Sequence, residues 1–133
     1  MIDCENEIYT ALAAELREKF PDITVYGRTE QTPSSFPCVC IEEADNFAHT
    51  RTRDSGSSCC HAEVMYEVNV YSNKASGQKA ECREIFAAVN DMLEALGFTR
   101  LSRTPVALDD ATKYRVCGRF TALISKNKTI YRR

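Results

Sequence analysis

Two stretches of the sequence alternate apolar and polar residues with a period of two, and they set most of what the chain can fold into. Within residues 62–71, Val64, Tyr66, Val68 and Val70 fall on one face while Glu63, Glu67 and Asn69 fall on the other. Within residues 114–125, Tyr114, Val116, Gly118, Phe120, Ala122 and Ile124 oppose Arg115, Cys117, Arg119 and Thr121. Strands with this pattern belong to an antiparallel sheet that is covered on one face and wet on the other. Something must cover the valine face, and the sequence offers two helices to do so.

Residues 3–20 predict the first. Ile8, Leu12, Leu16 and Phe20 recur every four residues, with Tyr9 and Ala13 beside them, and Glu5, Glu7, Glu15, Arg17 and Glu18 take the solvent side. Asp3 is a capping residue, Glu5 and Glu7 suit the positive end of the helix dipole, and Pro21 ends the pattern. Residues 77–96 predict the second helix, with Cys82, Ile85, Phe86, Val89, Met92, Leu93 and Leu96 on one stripe. Gly97 follows directly, where a left-handed residue ends a helix without a Cβ penalty.

Shorter signals fill the gaps. Residues 23–28 suit a short strand, and 29–37 hold Pro33 and Pro37 in a turn-forming cluster. Residues 38–44 and 98–104 read as strands, whereas residues 45–60 are polar enough to form an exposed arm. Pro105 and the Asp109, Asp110 pair mark a connection, and the basic tail, residues 126–133, holds one apolar pair, Ile130 and Tyr131. The order is αβββαββ: an α+β two-layer sandwich, with a mostly antiparallel sheet and two helices packed on one face. At 133 residues the expectation is a single domain over 1–133 with a polar arm at about 45–60, burying about 65 to 70% of its unfolded surface.

Composition narrows the chemistry. Lys and Arg total 17 against 19 Asp and Glu, a formal net charge of -2, too balanced for a protein that grips nucleic acid by neutralising phosphates. No run approaches the roughly 18 apolar residues that would span a bilayer, and the acidic start lacks the basic opening of a secretory signal, so a cytosolic chain with reduced thiols is expected. Seven cysteines are an odd number, which also favours free thiols over a disulfide framework. Cys38, Cys40, Cys59, Cys60 and His61 form the one cluster that could suggest zinc or thiol chemistry. Cys38 and Cys40 on a strand would sit about 7 Å apart, unlike the tight-turn pairs of structural zinc sites. Cys60 and His61 are adjacent, so a strand would send them to opposite faces. Small buried apolar side chains are the better reading of Cys38, Cys40, Cys82 and Cys117. The five glycines are scattered, with no phosphate loop, and the pairs Glu42, Glu43 and Asp109, Asp110 are not placed for acid/base work. No catalytic residue, no metal site, no cofactor and no small-molecule substrate is expected.

What remains is charge that could meet a partner: Arg51, Arg53 and Asp54 in the arm, and Lys126, Lys128, Arg132 and Arg133 in the tail. An arm this long inside a small domain is uncommon unless it binds something or is disordered.

The order of elements resembles the tail terminator proteins of long-tailed bacteriophages, also known as tail completion or minor capsid proteins. The residues that carry the resemblance are the first helix ending in Phe20 and Pro21, the strand closing Val68, Asn69, Val70, Tyr71, Ser72, the helix exit Leu96, Gly97, Phe98, Thr99, Arg100, and the last strand from Tyr114 to Phe120. The resemblance implies a structural virion protein, not an enzyme, made in the bacterial cytoplasm and resident at the head-proximal end of the tail. It implies a ring, hexameric in that family, that caps the tail tube, stops its polymerisation and presents the surface that joins the head. Tail tube protein and a head-tail connector would be its partners; DNA would pass through the lumen only transiently, and no membrane would be involved. On that footing Arg51, Arg53 and Asp54 are expected at a subunit or tube interface, and Lys126, Lys128, Arg132 and Arg133 at the other axial face.

Overall fold

A computed structural model describes residues 5–28, 33, 35–48, 61–108, 112–125 and 130–131. The helix α1 (Glu5–Lys19) leads into β1 (Thr24–Tyr26), β2 (Cys38–Ala48) and β3 (His61–Ser72), then α2 (Gln78–Leu96), β4 (Thr99–Val106) and β5 (Tyr114–Ser125). This is the αβββαββ order the periodicities predict, followed by a two-residue β6 (Ile130–Tyr131) in the tail. The strands lie in the order β1, β2, β3, β5, β4, with β6 also on β5. All neighbours are antiparallel except β1 and β2.

The alternating strands sit at the centre of the sheet, where their pattern is most strongly specified. β3 runs between β2 and β5 with Val64 opposite Ala122, Val68 opposite Gly118 and Val70 opposite Val116. Val64, Tyr66, Val68, Val70, Phe120, Ala122 and Ile124 are each buried to 0% exposure. Ile8, Leu12, Ala13 and Leu16 of α1 and Cys82, Ile85, Phe86, Val89, Met92 and Leu93 of α2 complete the same core. Each fully buried Leu, Ile, Val or Phe contributes about 1.5 to 3 kcal/mol of transfer free energy, so this layer holds the helices on the sheet. α2 ends at Gly97, which has φ 107°; its N–H donates to Glu94 O and that of Phe98 to Leu93 O, 3.0 and 2.9 Å, closing the carbonyls of the last turn.

Besides β4 running through Pro105, opposite Val116, to Val106 where a connection is expected, the structure departs from expectation in two places. β2 does not end at Ala44. Past a bulge between Glu43 and Asp45 it continues, pairing Asp45, Asn46, Phe47 and Ala48 with Met65, Val64, Glu63 and Ala62. The first four residues assigned to the arm are therefore strand, because the β3 ladder holds a polar segment that has little apolar pattern of its own. Residues 49–60 lie outside the described residues.

The second departure is the outer face of the sheet, expected to be wet throughout. At one end Cys38, Cys40 and Tyr71 form a small separate core, covered by Tyr26, Phe36 and Leu108. Two parallel neighbours need a crossover, and here the connection from β1 to β2 brings Phe36 onto this face. Asn69, read as a solvent-side residue, is consequently at 0% exposure, with its Oδ1 accepting from Arg115 Nε at 2.9 Å. No described helix is long and apolar enough to cross a membrane.

Candidate functional site

The charged residues singled out in the sequence, Arg51, Arg53 and Asp54 in the arm and Lys126, Lys128, Arg132 and Arg133 in the tail, lie outside the described residues. Their anchor points are described. Ala48, which precedes the arm, is the register partner of Ala62, and His61, which follows it, is the partner of Ser125, the last residue before the tail. Ile124 in turn pairs with Ile130 of β6. Arm and tail thus both attach at one end of the sheet, a proximity that the alternation of single strands could not give.

The most exposed element is one that periodicity read only as a strand. β4 carries Thr99 to Pro105 exposed on both faces, and one of its long edges pairs with nothing described. Leu101, at the bulge between Arg100 and Ser102, is 53% exposed. The helical layer stops short of it: α2 lies over β3 and β5, reaching β4 chiefly at its rim, where Arg100 Nη1 donates to Asn90 Oδ1 at 3.4 Å. Two signals for this were present in the sequence. Thr99 to Val106 has no period of two, and Pro105 cannot donate to a ladder, which confines such a strand to an edge.

The other side of the sheet is finished differently at its two halves. Along Cys38, Val39 and Cys40, β2 is covered by β1. The edge of β1 is in turn closed by α1, whose Tyr9 hydroxyl donates to Val25 O at 3.0 Å. β1 stops there, so residues 41–48 of β2 have no strand beside them on that side among the described residues. Two amides here donate to carboxylates instead: Glu43 N–H to Glu5 Oε2 at 2.7 Å and Asn46 N–H to Asp45 Oδ1 at 2.8 Å. Asn46 Nδ2 donates to Glu43 Oε1 at 3.0 Å.

The thiols are placed for packing. Cys38, Cys40 and Cys82 are each at 0% exposure. Burial, with Glu81 adding to it, pushes the Cys82 thiol up to about 12, and its Sγ sits 3.6 Å from Val70 O and from Tyr114 O. Burial, then the hydrogen bond its Sγ donates to Glu67 at 3.3 Å, raises Cys117 to about 11. Burial likewise lifts the Tyr71 phenol to about 12 against the pull of Arg115, whose guanidinium lies 5.3 Å from the ring centre. Nucleophilic chemistry and metal ligation need a thiolate, which these environments disfavour. Among the described residues no three His, Cys, Asp or Glu side chains converge as a metal site would require. The thiol chemistry weighed for Cys59, Cys60 and His61 rests on side chains outside those described. A groove between α1 and α2 is lined by Leu12, Met92 and Leu96 together with Glu15, Lys19 and Asp91.

No protein-family model matches the sequence, and no curated protein is similar to it. Among solved structures, the fold is similar to that of a chain in the virion of a native gene transfer agent particle. The superposition has a TM-score of 0.62 at 19% identity, covering 89% of this chain and 91% of that one.

Proposed function

We propose that this chain is a structural protein of a tailed, phage-like particle and works as one copy in a closed ring, hexameric by resemblance to tail terminators. The ring would sit on the finished tail tube, stop its polymerisation and offer the surface to which the head joins. It would act at the head-proximal end of the tail in the virion, after assembly in the bacterial cytoplasm. Catalysis, a cofactor and a membrane have no part in this reading, and DNA would slide through the lumen, which a net charge of -2 permits.

The observation that carries the reading is a fold shared, over nearly the whole length of both chains, with a protein found in a virion. The exposed β4 supports it, since a monomeric protein rarely leaves an eight-residue strand uncovered on both faces and one edge. Arg51, Arg53 and Asp54 would contact a neighbouring subunit or the tube, and Lys126, Lys128, Arg132 and Arg133 an axial partner. The likeness to a virion chain suits a neck or head-tail connector protein as well, and the two differ in what they bind.

The test is solution mass together with negative-stain imaging, on the protein alone and mixed with tail tube protein or with portal and adaptor rings. Rings that seat on tubes are expected, and Arg51→Glu/Arg53→Glu should weaken that seating while leaving the circular dichroism spectrum unchanged. Rings that bind only portal or adaptor would move the protein to the neck. A monomer in every mixture would sink both versions.

A further inference from the structure

Among the described residues, the two strand edges with no further strand beside them lie at opposite sides of the sheet, and their charges are opposite. β4 contributes Arg100 and Arg103 and no acid. Both arginines are exposed, and both pair with helix-side positions of β5, opposite Phe120 and Gly118, so both stand on the helix side of the sheet. The edge at residues 41–48 contributes Glu42, Glu43 and Asp45 and no base, and Glu43, opposite Tyr66, is also on the helix side, beside Glu5 of α1.

From this we infer that the β4 edge of one copy docks against the acidic 41–48 edge of the next, with Arg100 and Arg103 meeting the helix-side carboxylates of Glu5 and Glu43. The inference rests on the ring reading above and names its junction. Charge selects this pairing over the alternatives. Two β4 edges would set arginine against arginine, and two 41–48 edges carboxylate against carboxylate, each opposed by like-charge contact. Only the unlike pairing brings guanidinium groups to carboxylates, where planar, two-point hydrogen bonding strengthens the contact. An interface between two different patches is head-to-tail by construction, and head-to-tail contacts propagate to a closed ring when the rotation between copies allows it. The edge of β1 is not available to compete, because Tyr9 of α1 closes it. Pro105, the bulge at Leu101 and the two arginines are devices of the kind that blunt an exposed edge against indiscriminate pairing.

Two variants and their mixture test it: Arg100→Glu/Arg103→Glu, which makes both edges acidic, and Glu5→Lys/Glu43→Lys, which makes the helix-side charge of both edges basic. Each alone should lose the ring, the assembled fraction falling by at least about tenfold in native mass spectrometry. Mixed in equal amounts they should recover it, because in an alternating ring every junction again joins unlike charges. In the unmodified protein, hydrogen exchange at the β4 amides should slow on assembly relative to the diluted monomer. A charge-reversed variant that assembles as the parent does, a mixture of folded variants that stays monomeric, or β4 amides that exchange equally fast in ring and monomer would each overturn the junction while leaving the ring itself standing. A parent protein that is monomeric at every concentration and with every partner would remove the ring and the junction together.

Discussion

At the scale of single residues, Gly118 is tightly constrained. The β5 alternation places it on the helix side, where a side chain would be expected, yet a Cβ there would run into the Phe86 ring of α2 and sit 3.1 Å from Ser102 O of β4. Phe86 occupies the space and stacks at 5.9 Å, tilted 30°, on Phe120 two residues along. Gly118→Ala should therefore destabilise the fold by about 1 to 3 kcal/mol in urea unfolding, the usual penalty for overpacking a filled core. Phe86→Leu in the same chain should return part of that loss, and strictly additive effects in the double-mutant cycle would show that the ring and the glycine do not share one space. The glycine's face was legible in the sequence; the ring that fills its place was not, because periodicity does not say which helical turn crosses which strand. The buried thiols make a second prediction. Cys82 and Cys117 hold their protons up to about 12 and 11 in the fold, against an ordinary value of 9.0, so above pH 9 the unfolded chain gives up protons that the native chain retains. The unfolded state then binds fewer protons, and stability falls as pH rises, being complete below about 9 and lost progressively toward 12. Denaturation midpoints measured from pH 8 upward should decline, and more shallowly in Cys82→Ala/Cys117→Ala. An equal slope in that variant would assign the decline to Tyr71 and other groups.

At the scale of elements, legibility followed burial. α2, β3 and β5 lie at the middle of the packing, where a side chain's polarity is decided by which face it occupies, and their sequences alternate or recur accordingly. Gly97 marked the end of α2 because φ 107° is available to glycine and strained for other residues. β4 and the second half of β2 are edges, and there the pattern carries less information. A strand held by backbone ladder bonds along Met65, Val64, Glu63 and Ala62 can be as polar as Asp45 and Asn46, which is how part of an apparent arm turns out to be sheet. The parallel placement of β1 and the small core of Cys38, Cys40 and Tyr71 beneath Phe36 were equally hidden, since both depend on where a connection crosses and not on any local period. The candidate interface has the same history. Arg51, Arg53 and Asp54 were visible as charge, whereas Arg100 and Arg103 gain their meaning only from a strand order that leaves β4 last. Edges are where the sequence pattern of this sheet is weakest.

At the scale of the whole molecule, a ring joined through the two edges that carry no further strand among the described residues would tie folding to assembly. Any partner that binds the folded chain and not the unfolded one stabilises it by mass action, and when the partner is another copy the stabilisation grows with protein concentration. On the proposed junction the thermal midpoint should therefore rise with concentration, because each increment would fill more of the contacts made through β4. The salt dependence should reveal what holds them. Raising the ionic strength from about 0.1 to 1 M shortens the screening length from about 10 to 3 Å, which weakens contacts between exposed charges far more than the buried valine and leucine core. At high salt the concentration dependence should then flatten toward the midpoint of the isolated chain, which the core sets alone. Scanning calorimetry over about a hundredfold range of protein, at both ionic strengths, separates the cases. A midpoint that rises equally at both would mean that copies associate through apolar surface such as Leu101 and Leu96, 53% and 37% exposed, and a midpoint that never moves would mean a chain that folds with no need of its neighbours.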